Sequence, residues 1–227
     1  MLPQRPESPK VSVIVAAYNQ ERFIGRCLRS LLHQTIPHHD YEILVVDDGS
    51  TDRTPYALEL FFDAITTITL ERNEGLPAAL NRGIRAARAP LVVRVDSDDF
   101  VNRNFINFLQ YYLEANPRSH AVACDYLVLD DQEQVLDRVN CSDCPIACGI
   151  MFRRDQLFEI GLYDETFRRH EERDLRLRFE KKYVIDRLAI PLYRYRRHNS
   201  NITNDKAAME HFEAALARKH GLAEGPH

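Results

Sequence analysis

The 227-residue sequence predicts an α/β fold, with a mostly parallel open β-sheet flanked by helices. Two observations lead to this prediction. Short continuous apolar runs alternate with segments whose apolar residues recur at helical spacing, and about 105 residues contain four such strand–helix units. Continuous apolar runs are typical of strands buried on both faces, and repeated strand–helix units are typical of parallel sheets.

Each element follows from its local pattern. The run VSVIVAA at Val11–Ala17 predicts a buried strand, and the 21–34 segment repeats apolar residues at helical spacing. The rest of the first half gives strands at Glu42–Val46, Ile65–Leu70 and Leu91–Val95 and helices at 54–63, Leu76–Ala87 and 102–115. The second half is less regular, with a hairpin of Ala121–Leu129 and Gln134–Val139, helices at 155–160, 172–182 and 206–219, and strands at Val184–Leu188 and Leu192–Arg196.

Composition excludes several classes of protein. Lys and Arg total 30 against 34 Asp and Glu, so the net charge of −4 disfavours a general nucleic-acid binder with a basic footprint. No apolar run approaches the ~18 residues of a membrane-spanning helix. The first ten residues lack the apolar core of a secretory signal, so a cytoplasmic protein is expected.

The five cysteines leave two interpretations open. Cys141, Cys144 and Cys148 lie close together in the sequence, and thiolates at short spacing can bind zinc or iron. Three thiolates fall short of the usual four ligands, however, and no second cysteine pair follows. Incidental cysteines in a reducing compartment are therefore the favoured interpretation.

Carboxylates are concentrated where two predicted strands end. Asp47-Asp48 follows the second strand, and Asp96-Ser97-Asp98-Asp99 follows the fourth. Ligands of open α/β sheets bind outside the carboxyl ends of the strands. Three aspartates in four residues repel one another unless a cation binds there, and oxygen-rich sites suit Mg²⁺ or Mn²⁺. Solvated loops with helix-capping aspartates are the alternative, chiefly for Asp47-Asp48.

The sequence contains no glycine-rich loop that would bind a phosphate beside such a cation. The chain has eight glycines and contains neither GxGxxG nor GxxxxGK[ST]. A dinucleotide-binding enzyme and a P-loop enzyme are therefore both disfavoured. A phosphoaspartyl receiver is disfavoured as well, because no convincing lysine follows a late strand.

Several blocks together resemble the family 2 glycosyltransferases of the GT-A fold. Any single block is weak, but their combination and order are specific, and the match covers about residues 10–200. The blocks are Val11–Asn19, Gln34-Thr35, Glu42–Asp52, Asn73–Gly75, Ala79–Ile84, Asp96–Asp99, Gly161–Glu165 and Glu171–Leu175.

The resemblance implies a nucleotide-sugar site at the ends of the strands. Asp47 would contact a uracil ring, and Asp96 would face the ribose. Asp98 would hold the divalent cation, Mn²⁺ or Mg²⁺, that bridges the diphosphate. The implied nucleotide-binding residues are Ala16, Tyr18, Glu21, Asp47, Asp48, Asn73 and Asp96, and the candidate metal ligands are Asp98, Asp96, Asp99 and His198.

The resemblance also implies a catalytic base at Glu172. The family commonly has Glu-Asp where this chain has Glu171-Glu172, and a glutamate can abstract a proton as an aspartate does. Glu171 is the rival candidate. The alternative is a glutamate that merely favours the start of a helix through the helix dipole.

The segment Tyr193–His198 is basic and rich in aromatic residues. One interpretation is a flap over the diphosphate, with Arg196, Arg197 or His198 near the phosphates. The other is a strand with a solvated arginine face. The final predicted helix mixes acidic and basic residues, so packing or a homodimer contact is favoured for it over a membrane contact.

These expectations combine into one functional hypothesis. A glycosyltransferase, hexosyltransferase-like, would move a sugar from a nucleotide-sugar, UDP-linked by family habit, to a hydroxyl of a glycan or lipid-linked acceptor. The hypothesis includes inversion at the sugar and dependence on a divalent metal. It also includes a role in surface polysaccharide or glycolipid synthesis at the inner membrane face. A nucleotidyltransferase or a non-catalytic nucleotide-sugar-binding protein are the alternatives.

The domain organisation follows from the same resemblance. Residues 1–10 are expected to be a flexible arm, and 11–205 one GT-A domain. Within it, 11–115 would be the nucleotide-binding half and 116–205 the acceptor half. Residues 206–227 would form a C-terminal helix and tail.

Overall fold

The computed structural model describes residues 8–198 and 206–221, with side chains over 8–198 and 212–221. Most of the predicted N-terminal arm and of the predicted C-terminal tail lies outside these residues. The described chain forms one nine-stranded sheet with helices against both faces.

The first half has the predicted alternation of strands and helices. Strand β1 lies between β2 and β4 and is parallel to both, and β3 extends the parallel array beyond β2. The elements are β1 (Val11–Ala17), α1 (Ile24–Leu32), β2 (Tyr41–Asp47), α2 (Thr54–Glu59), β3 (Thr66–Thr69), α3 (Leu76–Ala86), β4 (Leu91–Arg94), β5 (Phe100–Val101) and α4 (Phe105–Ala115).

The second half adds strands of both directions. The sheet order is β3-β2-β1-β4-β8-β6-β9-β5, with β7 paired to β6, so the prediction of a mostly parallel sheet holds for the first four strands and the whole sheet is mixed. The elements are β6 (Ala121–Leu129), β7 (Val135–Val139), β8 (Ile150–Arg153), α5 (Arg154–Glu159), α6 (Glu171–Glu180), β9 (Ile185–Arg196) and α7 (Lys206–His220).

Two details of the second half differ from the sequence prediction. The two predicted late strands form one strand, β9, whose register against β6 shifts where Asp125 faces Pro191. Proline lacks the N–H that a ladder needs, so the pairing is interrupted there while the strand continues. Strand β8 was not predicted, because three apolar residues followed by an arginine give too short a pattern to separate from a loop.

The core has two layers, one on each face of the sheet. Alternate residues of β1 point to opposite faces: Val13 packs with helices α1 and α4, and Ile14 packs with α3, α5 and α6. A Cβ added to Gly83 of α3 would lie 2.5 Å from Ile14 Cγ2, so α3 lies directly on β1. This close packing brings the start of α3 to the edge where β1 and β2 end.

Over the described residues, none of the helices combines the length and the apolar character that crossing a membrane requires.

Candidate functional site

The turn after β2 is built around two buried aspartates. Asp47 Oδ1 accepts a hydrogen bond from the Ser50 amide at 3.1 Å. Asp48 accepts the amides of Glu74 (2.7 Å) and Gly75 (2.9 Å), one on each carboxylate oxygen. Burial raises the pKa of Asp48, and these two amides oppose that rise. Asp48 therefore ties the 73–75 loop, which leads into α3, to the end of β2.

The other predicted nucleotide-binding residues surround this turn. Ala16 is half-buried near the end of β1, and Tyr18, just beyond it, is 44% exposed. Glu21 Oε2 accepts the Arg53 amide at 2.8 Å, which joins the 18–21 segment to the loop after β2. Asn73 is exposed on the loop that Asp48 holds. The structure thus brings these residues together on one rim, at the carboxyl ends of β1 and β2.

The loop after β4 is held differently, mainly by side chains from distant elements. Asp96 Oδ1 accepts a hydrogen bond from Arg94 Nε at 2.6 Å, and Asp98 Oδ2 lies 2.9 Å from His198 Nε2. Asp99 accepts the Tyr193 hydroxyl (2.8 Å) and the Arg196 amide (2.7 Å). Burial, together with the charges of Asp98 and Asp96, raises the pKa of Asp99 well above its usual value.

The chemistry of this loop fits a divalent cation. Within the described residues, ligand atoms of Asp96, Asp99 and Cys148 lie within 4.8 Å of one another. Carboxylates are the preferred ligands of Mg²⁺ and Mn²⁺, and a cation would relieve the mutual repulsion of three neighbouring aspartates. Asp98 belongs to the same loop and pairs with His198, and neither residue is part of this set of ligand atoms.

Cys148 was not predicted in this place. Its thiol is buried beside Asp99 at 4.0 Å, and burial together with Asp96 and Asp99 raises its pKa. Cys141 is buried elsewhere, next to Asp125, and Cys144 is exposed. Over the described residues the three cysteines do not form one set of metal ligands.

The predicted flap is a packed part of the site. Arg196 is only 4% exposed, and its Nε donates to the Asp98 carbonyl at 3.0 Å. Its guanidinium pairs with Glu133 at 3.0 Å and lies 5.3 Å from the ring centre of Phe23. His198 stacks on the same Phe23 ring at 4.6 Å. For Arg196 the solvated-face interpretation is wrong, because its charge is buried against an acid, a carbonyl and a ring.

Arg94 connects the aspartate loop to the start of α6. Its guanidinium is buried and donates to Asp96 on one side and to Glu171 Oε1, at 3.0 Å, on the other. Sequence reasoning missed Arg94, although one arginine inside the otherwise apolar run Leu91–Val95 was a usable signal. A buried charge in a central strand needs partners, and here those partners are two candidate functional acids.

The two candidate bases have different surroundings. Glu171 is 5% exposed, and burial raises its pKa to about 7 although the neighbouring Arg94 charge opposes the shift. Glu172 is half-buried. His170, directly before them, has a left-handed backbone with φ of 59°.

Comparisons with known proteins agree with this architecture. The model of the family described as glycosyl transferase family 2 matches residues 12–138, just over half of the chain. The uncharacterized glycosyltransferase EpsJ of Bacillus subtilis is 41% identical over 110 residues, which are 48% of this chain and 31% of EpsJ. The poly(ribitol-phosphate) beta-N-acetylglucosaminyltransferase TarS of Staphylococcus aureus is 39% identical over 97 residues, 41% of this chain and 17% of TarS. The chain thus spans less than a third of the length of these two relatives.

Two solved structures share the fold. Residues 1–349 of S. aureus TarS in complex with UDP-GlcNAc superpose with a TM-score of 0.78 at 21% identity, covering 96% of this chain and 68% of that one. The mannosyltransferase PcManGT of Pyrobaculum calidifontis, in complex with GDP-Man and Mn²⁺, gives 0.74 at 20% identity, covering 99% and 68%.

Proposed function

The chain belongs to glycosyl transferase family 2, and we propose that it transfers a sugar, with inversion, from a UDP-sugar to an acceptor hydroxyl. The acceptor would be a glycan or a lipid-linked glycan of a surface polysaccharide or glycolipid, met at the inner membrane face. Support for the donor and acceptor classes comes from TarS, named as a poly(ribitol-phosphate) transferase and solved with UDP-GlcNAc.

The donor would bind along the carboxyl ends of β1, β2 and β4. Asp47 and Tyr18 would face the base and Asp96 the ribose. The close approach of the Asp48 turn to the 73–75 loop supports this placement, because it leaves Ala16, Tyr18 and Asn73 on one accessible rim.

A divalent cation would bind at the loop after β4. Asp98, Asp96, Asp99 and His198 are the residues that would hold it. The assignment is supported by the closeness of the Asp96 and Asp99 ligand atoms and by the contact of Asp98 with His198. When bound, the cation would offset the charge of the departing diphosphate. A solved neighbour of the same fold contains Mn²⁺ together with GDP-Man.

Glu172 would be the catalytic base. In this scheme its carboxylate accepts the proton of the acceptor hydroxyl as the oxygen attacks the anomeric carbon, and the bond from that carbon to the diphosphate breaks. Glu171 is less suited to this role, because its carboxylate is buried and pairs with Arg94. Glu171 would instead anchor the first turn of α6.

The observation that carries the proposal is the bridge made by Arg94. One guanidinium contacts an acid of the predicted donor loop, Asp96, and the first acid of α6, Glu171. Donor-side and base-side carboxylates are therefore held next to each other, as transfer between a donor and an acceptor requires.

The proposal predicts metal-dependent binding of the donor. UDP should bind measurably with Mn²⁺ and much more weakly with EDTA, and Asp98→Ala should remove most of that difference, as measured by calorimetry. Asp137→Ala, on the exposed strand β7, is the matched control and should leave the difference intact. Equal UDP affinity with Mn²⁺ and with EDTA would contradict the metal site. A screen of nucleotide-sugars for slow hydrolysis with Mn²⁺ would then identify the donor.

A further inference from the structure

Helix α7 contacts the first turn of α6 through one carboxylate. Glu213 of α7 accepts two hydrogen bonds from Arg173 Nη1, at 2.6 and 2.5 Å, and its Oε2 lies 3.4 Å from His170 Nε2. In the sequence, His170 and Arg173 stand directly before and directly after Glu171-Glu172. A single side chain of α7 therefore holds both residues that flank the candidate base.

A second set of contacts fixes the C-terminal end of α7. Asp174, in the first turn of α6, is fully buried and pairs with Lys219 at 2.7 Å and His220 at 2.8 Å. Lys219 also pairs with Asp164 at 2.7 Å, in the loop that precedes α6. Between these two sets of contacts, Leu216 is buried. The helix is thus held against α6 and the loop before it from its middle to its C-terminal end.

The start of α6 depends on these contacts because its own sequence defines it poorly. His170 at the N-cap position has a left-handed backbone, which costs a non-glycine residue free energy, and it makes no side-chain capping hydrogen bond. The helix dipole favours the three acids of the first turn, Glu171, Glu172 and Asp174, but it does not fix the direction of a side chain. Outside contacts must therefore set the direction in which this turn presents its side chains.

We propose that Glu213 is a positioning residue that orients Glu172 through His170 and Arg173. This inference rests on the proposed function, since it concerns the base of that reaction. The Glu213 side chain is 44% exposed, so its ion pairs contribute little to global stability. Its effect is geometric: a base displaced by about 1 Å can lose on the order of a hundredfold in rate.

The test is a set of conservative variants measured at saturating donor and Mn²⁺. Glu213→Gln keeps the shape of the side chain and removes its charge. We expect kcat for transfer to fall on the order of tenfold while the donor KM and the UDP affinity change less than about twofold. Amide hydrogen exchange over 171–175 should become faster, with the urea unfolding midpoint nearly unchanged.

A double-mutant cycle separates this role from unrelated effects. Arg173→Gln should lower kcat by no more than Glu213→Gln, which also weakens the contact with His170. The double variant should lose no more than Glu213→Gln alone, because Arg173 acts through the contact that Glu213→Gln already removes. Lys182→Gln is the matched control. It breaks the exposed Lys182–Glu159 pair near the other end of α6, 2.9 Å long with both side chains 52% exposed, and should leave kcat unchanged.

The outcomes separate this inference from the proposed function. Unchanged kcat and unchanged exchange in Glu213→Gln would overturn the positioning role, and so would losses that multiply in the double variant. A parallel loss of UDP affinity would also overturn it, since that would place Glu213 in donor binding. If the wild-type chain transfers no sugar, the proposed function fails, and the exchange measurements alone then decide whether Glu213 orders the first turn of α6.

Discussion

Two acidic turns at the same edge of the sheet are stabilised by different kinds of partner. Asp48, after β2, gives each carboxylate oxygen to a backbone amide of a neighbouring loop. Asp96, Asp98 and Asp99, after β4, are held by Arg94 at the end of β4 and by Tyr193, Arg196 and His198 in and after β9. Backbone amides therefore hold the first turn, whereas most partners of the second turn are side chains.

The contrast continues into α6. Glu171 is a held carboxylate, because it is buried against Arg94. Glu172 differs from Glu171 in that it is only half-buried. A buried acid with a fixed partner and a half-buried acid thus stand side by side at the start of α6, and variants at the two positions should behave differently.

The largest expected effect is at Glu172. Glu172→Gln keeps the shape of the side chain and removes the proton acceptor, so transfer should fall by about 10²–10⁴-fold. UDP affinity with Mn²⁺ should stay within a few-fold, as measured by steady-state kinetics and calorimetry. Glu171→Gln is the comparison and should lose less. If Glu171→Gln abolishes transfer and Glu172→Gln does not, the two acids have exchanged roles; if neither matters, the base lies elsewhere.

A smaller effect is expected on stability, where substitutions in the two acidic turns should change the free energy of unfolding differently. Asp48→Asn loses at least one buried hydrogen bond and presents an amide donor to a backbone N–H. Its free energy of unfolding should therefore drop by roughly 1–3 kcal/mol in urea denaturation. Asp99→Asn should leave that free energy unchanged or raise it in EDTA, because removing a buried charge relieves its repulsion with Asp98 and Asp96. A comparable loss in the free energy of unfolding of both variants would contradict the distinction between the two turns.

The fold and the positions of the acids could be predicted from the sequence, but the residues that contact those acids could not. Apolar runs and helical spacing located the first four strand–helix units, since those elements are encoded locally. The bridge from Asp96 through Arg94 to Glu171 spans 77 positions, so no local pattern shows it. The same holds for Tyr193 and Cys148, which reach the aspartate loop only once β8 and β9 have joined the sheet. The roles of Glu171 and Glu172 likewise depend on burial, which their identical side chains cannot reveal.

The last expected effect is a pH dependence of stability that originates at Glu171. Its pKa is raised from 4.5 to about 7, chiefly by burial, so between these values the folded chain holds a proton that the unfolded chain releases. Stability from this group should therefore decline as the pH rises from about 5 to 7 and then level off. The measurement is the free energy of unfolding of the wild type minus that of Glu171→Gln, in urea with EDTA, at pH 5 and pH 8. The difference should be less favourable to the wild type at pH 8. A difference that grows with pH would show that the Arg94 charge outweighs burial, which would place Glu171 among the ordinary ionised carboxylates of the site.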